Sequence, residues 1–240
     1  KELKKDLTGL GHNIFSETDT EVLLHLFEEF GEKSLDKING IFAFAVWDIK
    51  TKELFLARDR IGIKPLYYFY DEEKFIFSSE IKGLLEHNIK RGVNMDAFNY
   101  FFRLRYVPAP FTMFKNIFKL PAGHFAILNK TGLKIAKYWD IENIEEIASR
   151  EDAVKTINSL MNDSVKRQLV SDRPVGLFLS GGIDSTSVLG IASEYLGNNI
   201  KTYSIGFDVK IESEKFNADF YLARRTAGYY KTDHHEIMVS

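Results

Sequence analysis

The stretch "GLFLSGGIDSTSVLG", residues 176–190, leads a short apolar strand through Ser-Gly-Gly into a helical segment. A turn of this kind in a parallel sheet faces the crevice in which ligands bind. Glycines let the backbone approach an anion closely, because no Cβ stands in the way. The free N–H groups and the dipole at the start of the following helix face the same space. The stretch therefore predicts an anion-binding loop.

The residue types in this loop favour a nucleotide as the anion. The loop lacks the lysine of the G-x-x-x-x-G-K-[ST] pattern, so it is not built to grip a γ-phosphate that is being transferred. N–H donors and hydroxyls suit pyrophosphate that is held as a leaving group. The carboxylate of Asp184 beside polyphosphate makes sense mainly with Mg²⁺ between them. The structural alternative is a plain strand-to-helix turn in which Asp184 and Ser185 cap the helix.

The residues around the loop alternate between strand-like and helix-like patterns. Ser149 and Asp152 stand in capping-box spacing, and apolar residues follow at helical spacing up to about Leu169. Such alternation is typical of a parallel sheet of the nucleotide-binding kind. The predicted elements beyond Leu169 are strand 175–179, helix 184–197, strand 201–206, helix 217–230 and strand 234–239.

The first 140 residues follow a different pattern. Thr18 and Glu21 form a capping box before a helix that Gly31 ends. Short strands joined by tight turns come next, so antiparallel pairing is expected. Residues 41–48 are apolar on both alternating faces, which indicates a sheet that is covered on both sides. The other predicted elements are strands 53–59, 65–71 and 75–80, helix 95–104 and a hairpin within 124–139.

These two patterns predict an α/β protein of two domains. Residues 1–140 form an antiparallel-sheet domain with layers on both sides, and residues 151–240 form a Rossmann-like parallel α/β domain. Residues 141–150 are acidic, contain no glycine or proline, and are expected to join the two domains.

Composition excludes several classes of protein. The chain has 240 residues, of which 45% are hydrophobic and 28% charged, as in ordinary globular proteins. A net charge of −2 gives no electrostatic reason to expect nucleic acid or an anionic membrane as a partner. The absence of cysteine excludes disulfides and thiolate metal sites, and it fits a reducing compartment such as the cytoplasm.

Two conspicuous groups of residues are assigned no catalytic role. Arg58 and Asp59 lie at a predicted strand end before a Gly/Pro turn, so they are expected to support that turn. His234 and His235 are neighbours on a predicted strand, and their side chains therefore point to opposite faces. They cannot both bind one metal ion.

Segments along the whole chain resemble one family. The string "SGGIDS" resembles the pyrophosphate loop of the ATP pyrophosphatase group. With its neighbours it is similar to the synthetase domain of glutamine-hydrolysing asparagine synthetases, and the upstream half is similar to their Ntn-hydrolase-like αββα glutaminase domain. The strings that carry the resemblance are "SETDTEVLLHLFEEFG", "GIFAFAVWD", "LFLARDRIGIKPLYY", "FIFSSEIKGLL", "YVPAPFTMF", "LPAGH", "SDRPVGLFLSGGIDSTSV", "TYSIGF" and "KTDHHEI".

The resemblance implies residues that bind substrates. Asp19 matches the aspartate that pairs with the α-amino group of glutamine, although an acid in the first turn of a helix is favoured by the dipole without any ligand. The structural alternative for Leu179 and Ile205 is plain core packing, and they could be core and contact residues at once. The positions that match the family's ATP site are Leu179, Ser180, Gly181, Gly182, Asp184, Ser185 and Ile205.

The resemblance also implies the reaction. Ammonia released from glutamine attacks a β-aspartyl adenylate that is formed from aspartate and ATP, with AMP and pyrophosphate as products. ATP and Mg²⁺ are the implied cofactors, the substrates are small molecules, and a homodimer is expected. The family's nucleophile is an N-terminal cysteine, which this chain lacks along with the opening strands of that domain. By itself, the chain is not expected to be a competent enzyme.

Three alternatives stay open. The same scaffold could amidate a different carboxylic acid or close a β-lactam. An RNA-modifying member of the pyrophosphatase group would predict a basic surface and usually catalytic cysteines, which the charge of −2 and the absence of cysteine do not support. A non-catalytic relative that only binds nucleotide is the remaining alternative.

Overall fold

The computed structural model describes residues 2–71, 73–141, 149–197, 200–208 and 217–240. The chain divides into two compact units, Lys1–Asn143 and Ile144–Ser240. Most of the predicted join, residues 142–148, lies outside the described residues. Among the helices that the structure describes, none combines the length and the apolar character that crossing a membrane requires.

The first unit contains short helices and two antiparallel sheets, with strand orders β1-β2-β6-β7 and β4-β3-β5. Its helices are α1 (Glu2–Gly9), α2 (Asp19–Phe30), a 3₁₀ turn (Gly31–Lys33), α3 (Ser34–Lys37), α4 (Ile81–Leu85) and α5 (Met95–Leu104). Its strands are β1 (Ala43–Asp48), β2 (Glu53–Arg58), β3 (Tyr67–Tyr70), β4 (Phe75–Ser78), β5 (Ile117–Lys119), β6 (His124–Asn129) and β7 (Gly132–Lys137).

The hydrophobic clusters show how these elements are layered. Between the sheets, Leu56 of β2 packs in one cluster with Tyr68 of β3. The opposite face of the first sheet packs Phe55 against Leu35 of α3. The opposite face of the second sheet packs Phe69 against Leu84 of α4. The predicted αββα arrangement, with apolar residues on alternating faces of each strand, is confirmed.

The structure differs from the sequence-based expectations at the margins of this unit. Helix α1 and strand β5 were not predicted; β5 is three residues long and is defined by its pairing with β3. The expectation that β1 is covered on both faces is wrong for its outer end, because Trp47 is 52% exposed. Within the described residues β1 pairs only with β2, so it is an edge strand of its sheet.

The start of helix α2 is held by side chains, as its sequence predicts. The Thr18 hydroxyl accepts a hydrogen bond from the amide of Glu21. The Glu21 carboxylate does not reach back to Thr18, as a simple capping box would require. Instead it accepts hydrogen bonds from the Ser16 hydroxyl and from the amides of Phe15 and Ser16, and these bonds lower the pKa of Glu21 to about 2.

A buried arginine and aspartate organise the turn after β2. Arg58, which is 4% exposed, donates hydrogen bonds to the carbonyls of Gly62, Lys64 and Leu120. Burial lowers the pKa of its guanidinium, and the charge of Asp59 opposes that shift. Asp59, which is 1% exposed, accepts from the amides of Ile63 and Lys64, each at 2.9 Å. Their predicted structural role fits these contacts, since both side chains satisfy backbone groups of a buried turn.

The second unit alternates helices and strands around a three-stranded parallel sheet of order β10-β9-β8. Its strand–helix alternation confirms the predicted parallel α/β architecture. The elements are α6 (Arg150–Gln168), β8 (Gly176–Phe178), α7 (Ile183–Leu196), β9 (Lys201–Phe207), α8 (Ala218–Tyr230) and β10 (Asp233–Val239).

The two faces of the parallel sheet differ in burial. On one face, Leu177 and Leu179 pack with Leu189 of α7 and Ala223 of α8. The other face carries apolar side chains that are 44% to 82% exposed within the described part of the chain. The members of this exposed apolar face are Phe178, Ile205, Phe207, Ile237 and Val239.

The adjacent histidines of β10 serve opposite faces, as predicted. The His234 ring is hydrogen-bonded to the hydroxyls of Thr202 and Ser204 on the helix-covered face. The His235 ring stacks on Tyr203 across the other face, with centroids 5.1 Å apart. The two imidazoles therefore do not share a ligand.

The hydrogen bonds of the buried Arg58 side chain give a prediction about stability. We expect Arg58→Met, which keeps much of the aliphatic volume, to destabilise the first unit by at least about 2 kcal/mol, because each buried carbonyl left without a donor costs about 1–3 kcal/mol. Chemical denaturation measures the change. The matched control is Arg103→Met on the exposed surface of α5, where a change within about 0.5 kcal/mol is expected. Equal effects of the two substitutions would contradict the structural role of Arg58.

Candidate nucleotide-binding loop

The Ser180–Ser185 loop connects strand β8 to helix α7. Strand β8 ends at Phe178, and α7 begins at Ile183 with Gly182 as its N-cap residue. Because the strands are parallel, the loop lies at the carboxyl edge of the sheet, where open α/β sheets bind ligands. The structure thus brings five of the predicted ATP-site residues together in one turn, namely Ser180, Gly181, Gly182, Asp184 and Ser185.

Most amides of this loop are free to bind a ligand. The amides of Ser180 and Gly182 donate only to loop hydroxyls, at 3.3 and 3.4 Å. Side chains do not cover the loop, since Ser180 and Gly182 are exposed and Ile183 is 86% exposed. The loop therefore offers N–H donors at the positive end of the α7 dipole. Within the described residues, four amides of the loop make no hydrogen bond: those of Gly181, Ile183, Asp184 and Ser185.

Gly181 is required by the packing of the loop. Its φ of +75° lies in the left-handed region, which side chains rarely adopt. A Cβ at this position would lie 2.5 Å from the backbone nitrogen of Ala223 and from the backbone carbon of Leu222. The backbone of helix α8 therefore lies against Gly181 and fixes the turn. Gly182 differs, because its φ is −69° and the nearest atom to an added Cβ is the Ser180 hydroxyl at 3.4 Å.

The hydroxyls of the loop hold its shape. The Ser180 and Ser185 hydroxyl oxygens are 3.0 Å apart, and the Ser185 hydroxyl also donates to the carbonyl of Gly182 at 3.3 Å. The alternative that Asp184 and Ser185 merely cap α7 does not fit, because no side chain caps the helix at Gly182. The hydroxyls are thus placed beside the free amides as further donors.

Thr186 is a candidate that the sequence pattern did not single out. Its hydroxyl oxygen is buried and has no hydrogen-bond partner in the described part of the chain. Its amide makes the first bond of helix α7, to the carbonyl of Gly182 at 3.0 Å. A Thr directly after Asp-Ser at a helix start does not by itself indicate a ligand-binding hydroxyl. Only the fold shows that this hydroxyl is buried without a partner.

Asp184 is exposed at the start of α7, and its carboxylate makes no hydrogen bond or ion pair with another described residue. Its carboxylate and the neighbouring Ser hydroxyls are oxygen donors, which is the donor set that Mg²⁺ prefers. Mg²⁺ usually takes only one or two protein carboxylates and completes its shell with phosphate oxygens and water. The residues present therefore fit a magnesium ion that is bound together with polyphosphate.

The two other predicted ATP-site residues, Leu179 and Ile205, differ in burial. Leu179 is 3% exposed, packs in the core, and donates its amide to the carbonyl of Tyr203 at 2.8 Å. Ile205 is 50% exposed, so it is not the plain core residue of the structural alternative. It lies on β9 beyond Tyr203, the last residue of β9 that pairs with β8. The β8-facing backbone edge at Ile205 is therefore next to the loop and not used by β8.

Asp19 lies in the first unit, at the first position of α2. Its carboxylate is exposed, and its one described contact is the Thr20 hydroxyl at 3.5 Å. Because Thr18 and Glu21 already hold the helix start, the cap does not need Asp19. The side chain is free to meet a charged amine.

The comparisons with known proteins agree with both halves of the sequence interpretation. The sequence model of the family described as glutamine amidotransferase domain matches residues 1–139. The model of the family described as asparagine synthase matches residues 156–240.

Curated relatives match across most of the chain. An asparagine synthetase [glutamine-hydrolyzing] 3 of Bacillus subtilis is 39% identical over 100% of this chain and 41% of its own length. An asparagine synthetase [glutamine-hydrolyzing] 1 of the same organism is 34% identical over 89% of this chain and 34% of its own length. The amidase chyE of Penicillium rubens is 31% identical over 92% of this chain and 34% of its own length.

This chain thus spans 34% to 41% of the length of these three relatives. Its first 139 residues, which are more than half of its 240, match one family throughout. The chain belongs to the glutamine amidotransferase domain family, followed here by a match to the asparagine synthase family.

Proposed function

We propose that the protein containing this chain is a glutamine-hydrolysing asparagine synthetase, an ATP-dependent carbon–nitrogen ligase. The observation that carries the proposal is the open Ser180–Ser185 loop, whose unpaired amides lie at the carboxyl edge of a parallel sheet. The family matches on the two parts of the chain support it, since they pair a glutaminase with a synthetase. We assign residues 1–140 to the glutaminase domain, 141–150 to the linker and 151–240 to the synthetase domain.

The proposed synthetase step uses the loop for the leaving group. A β-carboxylate oxygen of aspartate attacks the α-phosphorus of ATP, the bond to the bridging oxygen breaks, and pyrophosphate leaves. Free amides of the loop and the hydroxyls of Ser180 and Ser185 hydrogen-bond the β- and γ-phosphates and stabilise the charge that develops there. Asp184 would hold Mg²⁺ beside these phosphates, and the ion would supply positive charge next to the leaving group.

The remaining ATP contacts come from the sheet. We propose that backbone groups at Leu179 and Ile205 hold the adenosine, since a strand end offers N–H and C=O groups in fixed positions.

Ammonia then attacks the acyl carbon of the aspartyl adenylate, and AMP departs with the electron pair of the acyl–oxygen bond. Hydrolysis of glutamine supplies the ammonia, and Asp19 pairs with the α-amino group of the bound glutamine. A homodimer and a cytoplasmic location stay predictions.

The loop glycines give a test of ATP binding with a matched pair of variants. We expect Gly182→Ala to fold normally, because its φ and its surroundings accept a Cβ, yet to bind ATP at least about tenfold more weakly, since the methyl group lies where phosphate must approach. Gly181→Ala should instead lower the free energy of unfolding of the second unit by about 1–3 kcal/mol or more. Calorimetry of ATP binding and chemical denaturation of the intact protein measure the two effects. Unchanged ATP affinity in Gly182→Ala would remove the loop from the nucleotide site.

The role of Asp19 is tested by comparing two nitrogen sources. We expect Asp19→Asn to raise the KM for glutamine about tenfold to a hundredfold, because a charge-assisted hydrogen bond contributes about 1.5–3 kcal/mol. Synthesis from free ammonia should be unchanged, since it bypasses the glutaminase. The control is Asp96→Asn, an acid in the first turn of α5. Equal loss with both nitrogen sources would argue for a structural role of Asp19.

The acceptor acid is tested by pyrophosphate release. The same scaffold could serve another carboxylic acid, and a relative named as an amidase covers most of this chain at 31% identity. We expect the intact protein to release pyrophosphate with aspartate, and to form asparagine, in preference to a panel that includes glutamate, succinate and β-amino acids. Pyrophosphate release only with another acid would retain the ligase and reject aspartate. Nucleotide binding without release would reject the ligase.

A further inference from the structure

A group of histidine and glutamate side chains meets in the first unit, whereas the Ser180–Ser185 loop belongs to the second. His12 follows helix α1, while His25 and Glu28 lie three residues apart on α2. One side-chain atom from each of the three, a ring nitrogen or a carboxylate oxygen, lies within 4.8 Å of the other two. The Nδ1 atoms of His12 and His25 are 3.1 Å apart, and Glu28 Oε2 is 3.5 Å from His25 Nδ1.

A carboxylate at hydrogen-bond distance orients the His12 ring, and a second, more distant carboxylate lies beside the His25 ring. His12 Nε2 is 3.0 Å from Glu29 Oε2, and His25 Nε2 is 4.0 Å from Glu21 Oε1. An imidazole that donates its Nε2–H to a carboxylate presents an unprotonated Nδ1 on the other side. Histidines that bind metals in proteins are almost always supported by such a partner. Each ring therefore turns Nε2 toward an acid and Nδ1 toward the other ring.

The two Nδ1 atoms are close enough to bind one metal ion. At 3.1 Å they either share a proton in an N–H···N hydrogen bond or act as two ligands of the same ion. Zn–N bonds of about 2.0–2.1 Å at a tetrahedral centre place neighbouring ligand atoms about 3.3 Å apart. The separations of 3.1 and 3.5 Å lie on either side of that value. The third edge, between His12 and Glu28, is within 4.8 Å, and the exposed Glu28 side chain can move to shorten it.

We propose that His12, His25 and Glu28 bind one divalent transition-metal ion of the zinc class, with Glu29 as the positioning residue for His12. Imidazole ligands select Zn²⁺, Co²⁺ or Ni²⁺ over Mg²⁺ and Ca²⁺. Side-chain exposures of 14% for His12, 21% for His25 and 69% for Glu28 leave the fourth position to water. The ion links the segment after α1 to helix α2. Its ligands belong to the first unit, whereas the proposed magnesium position uses Asp184 of the second unit.

The experiment uses the intact protein, stripped of metal with a chelator and kept free of ATP. Co²⁺ is added while visible absorption is recorded, and Zn²⁺ affinity is measured by competition with a chromophoric chelator. We expect one Co²⁺ per chain with the spectrum of a tetrahedral nitrogen–oxygen site. The absence of a thiolate-to-cobalt charge-transfer band distinguishes this site from any cysteine ligand elsewhere in the protein.

Variants test whether the Co²⁺ spectrum arises from the cluster of His12, His25 and Glu28. His12→Ala and His25→Ala should abolish it, and Glu29→Gln should weaken Zn²⁺ binding by roughly tenfold or more. His87→Ala, at an exposed histidine outside the cluster, is the control and should match the wild type. Circular dichroism of the metal-free variants checks folding. If His25→Ala misfolds, Glu28→Gln replaces it, because that side chain is mostly exposed.

Two results would overturn the proposal. One is a tetrahedral Co²⁺ signal that persists unchanged in both histidine variants. The other is no stoichiometric binding at micromolar Zn²⁺, which would leave an N–H···N hydrogen bond as the account of the contact between the rings. Neither outcome depends on glutaminase or synthetase activity, so the proposal stands or falls separately from the proposed function.

Discussion

The nucleotide loop depends on the close approach of one backbone to another. Helix α8 passes so near Gly181 that no side chain fits there, and the residue adopts a left-handed conformation. This contact fixes the turn between β8 and α7, which in turn determines where the loop amides point. Binding a phosphate with backbone groups requires such rigidity, because amides can stabilise charge only when they are already oriented. The packing of α8 is therefore part of the site, although none of its side chains needs to touch the ligand.

The two units differ in how the backbone carbonyls and amides of their turns are hydrogen-bonded. In the first unit, the buried charges of Arg58 and Asp59 satisfy the carbonyls and amides of a tight turn. In the second unit, the turn after β8 leaves four of its amides without a partner among the described residues. The first kind of turn is satisfied by the protein itself. The second kind leaves donors that an anionic ligand could use.

Local signals made much of this structure predictable. The Thr18 cap, the helix from Met95 to Leu104 and the strand–loop–helix around Gly181 each depend on neighbouring residues, and the sequence shows them directly. Strand β5 and the exposure of Ile205 were not predictable, because distant strands decide both. The contact of Gly181 with α8 and the meeting of His12 with His25 likewise depend on how separate elements pack. A glycine motif reveals that a loop can bind, and only the fold reveals why a particular glycine cannot change.

The position of Trp47 has a practical consequence for optical work on this chain. The chain has 2 tryptophans, Trp47 and Trp139, and both belong to the first unit. Tryptophan emission from this chain therefore follows the antiparallel unit alone, and the parallel unit contributes none. Trp47, at 52% exposure on strand β1, is also open to aqueous quenchers. Quenching and emission thus report on the first unit, and a test of nucleotide binding to the second unit needs a different probe.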